Sequence, residues 1–333
     1  MRRSTENRDK KTLLKRCLIG CAVLLAGMGG MTAALKAADS QKTVEPAAVA
    51  ENDDTITYKG VKYVPKGNLE TYLLAGIDSS DKIEPIEKYD GTGQCDTLKV
   101  VVRDRSTETC QILTIDRNTM CQVKSLEDDG TYIDTSEMQL SLAHAMSLDH
   151  QTRAENTVDA VSNLLGGHKI DGYAMVNMGA IQIVNDMVGG VTVTVENDFP
   201  DSNTLKKGNT VTLMGEDAQR FVRERKTVGD GLNDNRMQRQ KVYEEAFMPA
   251  FRAKCNEDQS FPLDVYEALQ DYMTTDISAK KFTRLALLFT DDTEEQKLTI
   301  EGEDGFDEDG WQTFTPDPDS LEEVILQLFY KEA

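Results

Sequence analysis

The segment Arg220–Lys241, RFVRERKTVGDGLNDNRMQRQK, sets Arg220, Arg223, Arg225, Lys226, Arg236, Arg239 and Lys241 against only Glu224, Asp230 and Asp234. Arg223 and Arg225 are two apart, so an extended segment points both guanidinium groups to one side. Arg236 and Gln240 are four apart and share a helix face, with Arg239 beside them. Gly229 and Gly231 supply the turn chemistry that folds the two arms together. A guanidinium fork binds phosphate oxygens through paired, charge-assisted hydrogen bonds. Converging guanidinium groups repel one another unless an anion or carboxylates sit between them. Asn233 or Asp234 is placed to cap a helix near Arg236, adding the positive end of a helix dipole. The chemistry this pattern offers is the holding of a phosphate-bearing polyanion. Spacing alone leaves a solvated helix face as the alternative.

The elements that must position these residues alternate between strands and helices. TYLLAGI, Thr71–Ile77, is a short apolar run of the kind that forms a buried strand, and TLKVVVRD and TCQILTID read as a hairpin around RST. A polar loop, Glu127–Ser136, precedes two helical patterns, EMQLSLAHAMSL and TRAENTVDAVSNLLGG, the second ending on a glycine pair. IDGYAMVNM and VTVTVE read as strands flanking the helix GAIQIVNDMVGG. GEDAQRFVRER is a short helix and RMQRQKVYEEAFMPAFRAK a longer one. Past Cys255, LDVYEALQDYM, AKKFTRLALLF, KLTIEGE and SLEEVILQLFY add two helices, a strand and a last helix. This order predicts an α/β fold, a three-layer α/β/α sandwich, and the hairpin predicts a mixed rather than fully parallel sheet.

The whole chain of 333 residues carries a formal net charge of −21, which argues against general nucleic-acid binding. Residues 1–16 run the other way: seven basic side chains against Glu6 and Asp9 give them +5, leaving −26 for the remainder. The uncharged run Cys17–Leu35 follows, and as a helix it spans about 28 Å, close to a bilayer's ~30 Å hydrocarbon thickness. A basic flank before the apolar run predicts one transmembrane helix with the N-terminus inside and the main domain extracytoplasmic. The alternative is a cleaved signal peptide ending near TAALKA. Residues 36–68 are polar and read as a stalk. Of the remaining cysteines, Cys110 and Cys121 could pair if their strands adjoin, with buried thiols the alternative; no spacing suggests a metal finger. His144 reads as a packed histidine on an amphipathic helix.

From about Leu69 to Phe247 the chain resembles the LytR-CpsA-Psr family of bacterial cell-wall glycopolymer transferases. The match runs through LLAGIDSS (Gly76, Asp78, Ser79), CDTLKVVV (Asp96, Thr97), LTIDRNT (Arg117, Thr119) and His144-Ala145. It continues through NLLGGHKIDGYAMVNM and VNDMVGGVTVTV to the closing Arg223, Arg225, Gly229-Asp230, Arg236 and Arg239-Gln240. Each motif alone is weak; their order over roughly 180 residues behind an apolar N-terminal run is what carries the resemblance. Together with the charge and apolar patterns, it divides the chain into a cytoplasmic tip (1–16), a transmembrane helix (17–35), a stalk (36–68), a catalytic domain (69–255) and a C-terminal α/β extension packing on the core (256–333).

The resemblance implies an apolar tunnel for a polyprenyl chain with a phosphate site at its mouth. Carried over by position, Asp78 and Asp96 sit near Mg2+, while Arg117, Arg223, Arg225, Arg236, Arg239 and Gln240 hold phosphate. Asp96 and Arg117 are the catalytic candidates, and Asp96 has two open roles, metal ligand or base on the acceptor. The implied activity is a membrane-anchored, Mg-dependent phosphotransferase joining a polyprenyl-(pyro)phosphate-linked anionic glycopolymer such as a teichoic acid to peptidoglycan, with pyrophosphatase as a side activity and a monomeric state. The chain departs from the family pattern at Asp116-Arg117-Asn118, and Ser80, Ser141 and Cys121 stand where basic residues are common. Those departures favour the alternative, a non-catalytic polyprenyl-phosphate or cell-wall polymer binding or regulatory protein on the same fold.

Overall fold

TYLLAGI is buried at every position, and the reason is the sheet around it. In this computed structural model, which describes residues 55–89, 92–224, 227–229, 233–288 and 295–333, strand β3 (Leu69–Ile77) lies inside a six-stranded sheet. Alternate side chains of an inner strand face opposite layers. Leu73 and Ala75 enter one core, with Val100, Val102 and Leu113, while Tyr72 and Leu74 enter the other, with Val101 and Ile112. With both faces covered, the strand loses the polar alternation of a half-exposed one.

Three short strands precede or flank this sheet along the chain. β1 (Ile56–Tyr58) and β2 (Val61–Pro65) form an antiparallel pair, and the last strand of the chain, β15 (Tyr330–Glu332), pairs with β2. The end of the segment that reads as a stalk is therefore strand; residues 1–54, including the tip and the apolar run, lie outside the described residues, as does Arg225. Among the described residues no helix is long and apolar enough to cross a membrane.

β4 (Cys95–Asp104) and β5 (Thr109–Ile115) follow β3 as antiparallel neighbours, confirming the expected hairpin. β6 (Met120–Leu126) and β7 (Tyr132–Gln139) form a separate two-stranded sheet. Strand β7 therefore corrects the expectation of a polar loop over Glu127–Ser136 and a helix from Glu137. β7 is largely exposed, so it lacks apolar alternation, and the next element is a 3-10 helix, Leu140–Ala145. α1 (His150–Leu164) begins where Asp149 accepts the Thr152 N–H at 2.7 Å. β8 (Gly172–Asn177) returns parallel to β3. α2 (Ala180–Met187), β9 (Val191–Thr194), β10 (Thr210–Leu213), α3 (Glu216–Arg223) and α4 (Asn233–Glu257) come next.

After α5 (Phe261–Leu269), β11 (Met273–Thr275) joins one edge of the sheet antiparallel to β8. After α6 (Ala279–Leu288), β12 (Glu295–Thr299) joins the other edge parallel to β5. The order is β11-β8-β3-β4-β5-β12, a mixed sheet whose two edges both come from beyond Cys255. The single strand expected in KLTIEGE divides at Ile300–Glu301, and a new hairpin, β13 (Gly302–Phe306) and β14 (Gln312–Pro316), follows β12. α7 (Pro318–Phe329) closes the fold, capped by Asp317 with proline at its first turn.

Helices cover both faces. α1 and α7 contribute Ala154, Val161, Val324 and Leu328 to one core; α2 to α6 contribute Val184, Phe221, Phe247, Phe251, Val265 and Phe282 to the other. The same partition excludes a Cys110–Cys121 disulfide. Cys110 belongs to one core and Cys121 to the other, and with Cys95 and Cys255 they are buried thiols.

Candidate functional site

Asp96 is the residue around which the site forms, and a β-bulge puts it there. Gly76 pairs with Thr97 while Ile77 pairs with Cys95, so Asp96 is the extra residue with no partner across the strand. A bulge re-aims one side chain out of the pleat. The carboxylate of Asp96 thereby meets Arg117, whose Nη1 donates to its Oδ1, while Arg117 Nη2 donates to Gln94 Oε1. The pair is only partly exposed, at 31% for the Arg117 side chain and 17% for Asp96.

Arg117 is aimed by the turn after β5. Asp116 accepts the Asn118 N–H at 2.7 Å and its carbonyl accepts the Thr119 N–H at 3.1 Å, so its carboxylate braces the backbone. The Arg117 carbonyl also takes the Ser141 N–H at 2.9 Å, tying the turn to the 3-10 helix.

The end of β3 brings in the second carboxylate. Asp78 N–H donates to the Gln94 carbonyl at 3.0 Å, which holds the two strand ends side by side. Asp78 stands 3.8 Å from Arg223 Nη2, both half-exposed. Ser80 Oγ accepts from Arg223 Nη1 at 2.8 Å and from Gln219 Nε2 at 2.8 Å. The neighbouring backbone is closely packed: Met178 N–H donates to the Ser79 carbonyl at 2.7 Å, and a Cβ on Gly179 would stand 2.2 Å from the Ser80 carbonyl oxygen. Only glycine permits that approach.

Electrostatics ties these groups together. Burial raises the Asp96 carboxyl above the usual range; Arg117 pulls it back, Asp78 pushes it further up, and Arg236 and Arg223 pull it down. Five of the expected residues, Asp78, Asp96, Arg117, Arg223 and Arg236, thus gather within electrostatic reach of one carboxylate. Arg225 lies outside the described residues.

Arg239 and Gln240 are placed differently. Arg239 is 1% exposed, and it donates from Nε to the Phe221 carbonyl at 2.9 Å and from Nη2 to the Glu224 carbonyl. Its guanidinium also lies 5.3 Å from the Phe199 ring. Gln240 Nε2 donates to the Val222 carbonyl at 3.1 Å. The last carbonyls of a helix have no partner within it. Arg239 and Gln240 satisfy those at the end of α3, the turn that carries Arg223. Their hydrogen bonds are to backbone and brace the turn that bears Arg223, while Arg239 Nη1 and Gln240 Oε1 are buried without a hydrogen-bond partner among the described residues.

His144 supports the site from below. It is 3% exposed and its Nδ1 is 2.7 Å from the Gly93 carbonyl, which fixes the tautomer with the proton on Nδ1. Burial lowers its pKa to about 4, with the charges of Arg153 and His150 adding to the fall. A packed, neutral histidine, as expected, thus anchors the residue before Gln94.

The donor chemistry suits Mg2+. Two adjacent carboxylates, one desolvated and raised by the other's charge, are relieved by a divalent cation, and Mg2+ is commonly held by one or two carboxylates plus substrate phosphates. Among the described residues no group of three or more His, Cys, Asp or Glu forms a complete cage. Asp78 and Asp96 would hold the ion only together with phosphate oxygens.

Sequence reasoning missed Gln94 and Gln219. Each is a lone glutamine in a polar stretch, with no periodicity to flag it. Ser80 is visible only as a missing basic residue, whereas its hydroxyl is the hinge of the Arg223 contact.

The guanidinium groups of Arg117 and Arg223 and the carboxylates of Asp78 and Asp96 thus meet beside the ends of β3, β4 and β5 in a mixed α/β sheet. The LytR_cpsA_psr family model matches residues 29–329, and the chain belongs to that family. It is 26% identical over 231 residues to the polyisoprenyl-teichoic acid–peptidoglycan teichoic acid transferase TagU of Bacillus subtilis (strain 168), a match covering 67% of this chain and 65% of that protein. The fold is similar to the crystal structure of B. subtilis TagV, with TM-score 0.56 and 24% identity over 79% of this chain and 96% of that one. It is also similar to TagT bound to LI-WTA, with TM-score 0.53 and 20% identity over 79% of this chain and 90% of that one.

Proposed function

We propose that this protein transfers an anionic glycopolymer from a polyprenyl-(pyro)phosphate carrier to peptidoglycan. The observation that carries the proposal is the gathering of Arg117, Arg223, Arg236 and Asp78 around the bulged Asp96. The transferase activity in the name of TagU supports it. An acceptor hydroxyl oxygen forms a bond to the phosphorus nearest the sugar, and the P–O bond to the carrier's remaining phosphate breaks. The carrier leaves as a polyprenyl phosphate and the hydroxyl proton passes to a base.

Arg117, Arg223 and Arg236 neutralise charge on the phosphates as the bridging bond opens, where preorganised donors act most strongly. A bound Mg2+ would supply further charge neutralisation at Asp78 and Asp96. Asp96, raised by burial, is also suited to take the acceptor proton. The prenyl tail would run along the apolar layer formed by α2 to α4. The run Cys17–Leu35 would anchor the chain, leaving the domain on the outer side of the cytoplasmic membrane as a monomer.

The test is incubation of the full chain with a polyprenyl-pyrophosphate-linked, labelled glycopolymer and isolated peptidoglycan, with Mg2+ or with a chelator. Label appearing on peptidoglycan, lost on Arg117→Ala and with the chelator, is the expected result. The binding-protein alternative draws support from Ser80, which occupies Arg223 through its hydroxyl. Retention of the carrier lipid with no label transferred would select that alternative.

A further inference from the structure

The hairpin of β13 and β14 carries the two most exposed large apolar side chains among the described residues, Phe306 at 72% and Trp311 at 68%. An aromatic side chain of this size can bury ~150–250 Å2 against a partner. The tip that holds them is braced. Asp307 Oδ1 accepts the Trp311 N–H at 2.7 Å and the Asp309 N–H at 3.1 Å, and the Asp307 N–H donates to the Trp311 carbonyl at 2.9 Å. Gly310, with φ of 83°, allows the reversal.

The hairpin stands beside the candidate site. Phe314 N–H donates to the Asn118 carbonyl at 2.9 Å, and Thr119 and Phe314 form a parallel bridge. Gln139 Nε2 donates to the Gln312 carbonyl, so β14 enters alongside the start of β6. The turn 307–311 precedes Gln312, so along this parallel bridge it lies toward the Arg117 end. Asp304 is near enough to Asp116, the residue bracing the Arg117 turn, for its charge to act there.

Charge decides what this surface can take. From Leu298 to Tyr330 there is no lysine or arginine, while the hairpin carries Glu303, Asp304, Asp307, Glu308 and Asp309. Such a surface repels a polyanion and an anionic lipid surface alike. Pyranose rings offer the matching chemistry: their C–H faces stack on indole and phenyl rings, and their hydroxyl and amide hydrogens donate to carboxylates.

We propose that the β13–β14 hairpin is a saccharide platform that receives the uncharged acceptor glycan beside the arginine cluster, which receives the anionic donor. The inference rests on the transfer reading above. It separates the two substrates by charge: phosphate to Arg117, Arg223 and Arg236, and neutral sugar to the face of the hairpin shared by Trp311 and Asp307, Phe306 pairing with Gln312 on the opposite face.

Trp311 is the single tryptophan of the chain, so intrinsic tryptophan fluorescence reports on this hairpin alone. The full chain is titrated with an N-acetylglucosamine tetramer and with poly(glycerol phosphate), and sedimented with insoluble peptidoglycan stripped of attached polymer. The expected result is a saturable blue shift with the tetramer and none with the polyphosphate. Phe306→Ala, on the opposite face, should leave the tetramer's half-saturation unchanged, and Trp311→Ala should lower the fraction sedimented at least about tenfold. Arg117→Ala should leave the fluorescence response intact while transfer is lost, which separates this inference from the transfer reading. A flat response to the tetramer together with unchanged sedimentation of Trp311→Ala overturns it. A shift produced only by anionic vesicles or by a protein partner also overturns it.

Discussion

Replacing Arg239 with methionine separates a strut from a ligand. The native guanidinium is 1% exposed and donates to the carbonyls of Phe221 and Glu224 at the end of α3, over the Phe199 ring. Methionine fills most of the volume but leaves both carbonyls without a donor. A hydrogen bond from a charged group contributes about 1.5–3 kcal/mol and the ring contact about 1 kcal/mol. Part of this is offset, because burial of the guanidinium is itself costly, as its lowered pKa records. The net loss is about 3 kcal/mol, and at roughly 3 °C per kcal/mol the midpoint of thermal unfolding falls by about 9 °C. Gln240→Ala, which frees only the Val222 carbonyl, should cost about 1 kcal/mol. The assay is thermal unfolding of both variants alongside affinity for a short-chain polyprenyl phosphate. In Arg239→Met the affinity should fall because the turn bearing Arg223 loosens, and Arg239→Lys, which keeps one donor, should recover part of both quantities. A melting point within a degree or two of the parent, combined with affinity as low as that of Arg117→Ala, would refute the strut and make Arg239 a direct phosphate ligand.

Asp96→Asn should abolish transfer yet raise the melting point at neutral pH. A carboxyl raised by burial favours its neutral form in the folded state, so its contribution falls as pH rises through the folded value, and Asn removes that loss. His144→Asn should flatten the acid limb of stability, measured as urea midpoints at pH 7 and pH 4. With the folded histidine at about 4 against an ordinary value of 6.5, the parent loses up to ~3 kcal/mol as pH falls through that window, and Asn keeps the bond to Gly93 without titrating. Gly179→Ala should reduce polyprenyl-phosphate affinity about tenfold or more with a smaller effect on unfolding, since its Cβ would press on the Ser80 carbonyl at 2.2 Å and on Tyr272 at 2.7 Å. Equal affinity in that variant would show that the Asp78–Ser80 turn does not set the site.

How much of this was legible in the sequence varied with the physical signal each element carries. β3, β4 and β5 were readable because their apolar runs are dictated by burial on both faces. β7 was not, because Tyr132–Gln139 is mostly exposed and its side chains are chosen for solvent rather than for a core. β13 and β14 were hidden for a related reason: glycine and aspartate dominate GEDGFDEDG, and only pairing with β14, which itself bridges to Thr119, makes a strand of it. The arginine segment stood out through its charge, and Arg223 and Arg236 lie within electrostatic reach of Asp96. Helical spacing put Arg239 beside Arg236 correctly but could not say that α3 would end against it and take its donors. Asp96 was nameable through the family resemblance, whereas the bulge that aims it arises from a mismatch of register between two strands. Gln94 had no signal of any kind; its role exists only once Arg117 is brought across from β5.

The central claim is that Asp96 and the arginines around it form one phosphate-transferring site, and the most direct measurement is transfer itself. Purified full-length chain is given a polyprenyl-pyrophosphate-linked, labelled glycopolymer and polymer-free peptidoglycan. Label should become covalently attached to peptidoglycan with release of polyprenyl phosphate, and both Arg117→Ala and Asp96→Asn should reduce the rate by at least about a hundredfold while remaining folded. Transfer that survives both substitutions, or a folded parent that binds the donor and releases no polyprenyl phosphate, would contradict the account.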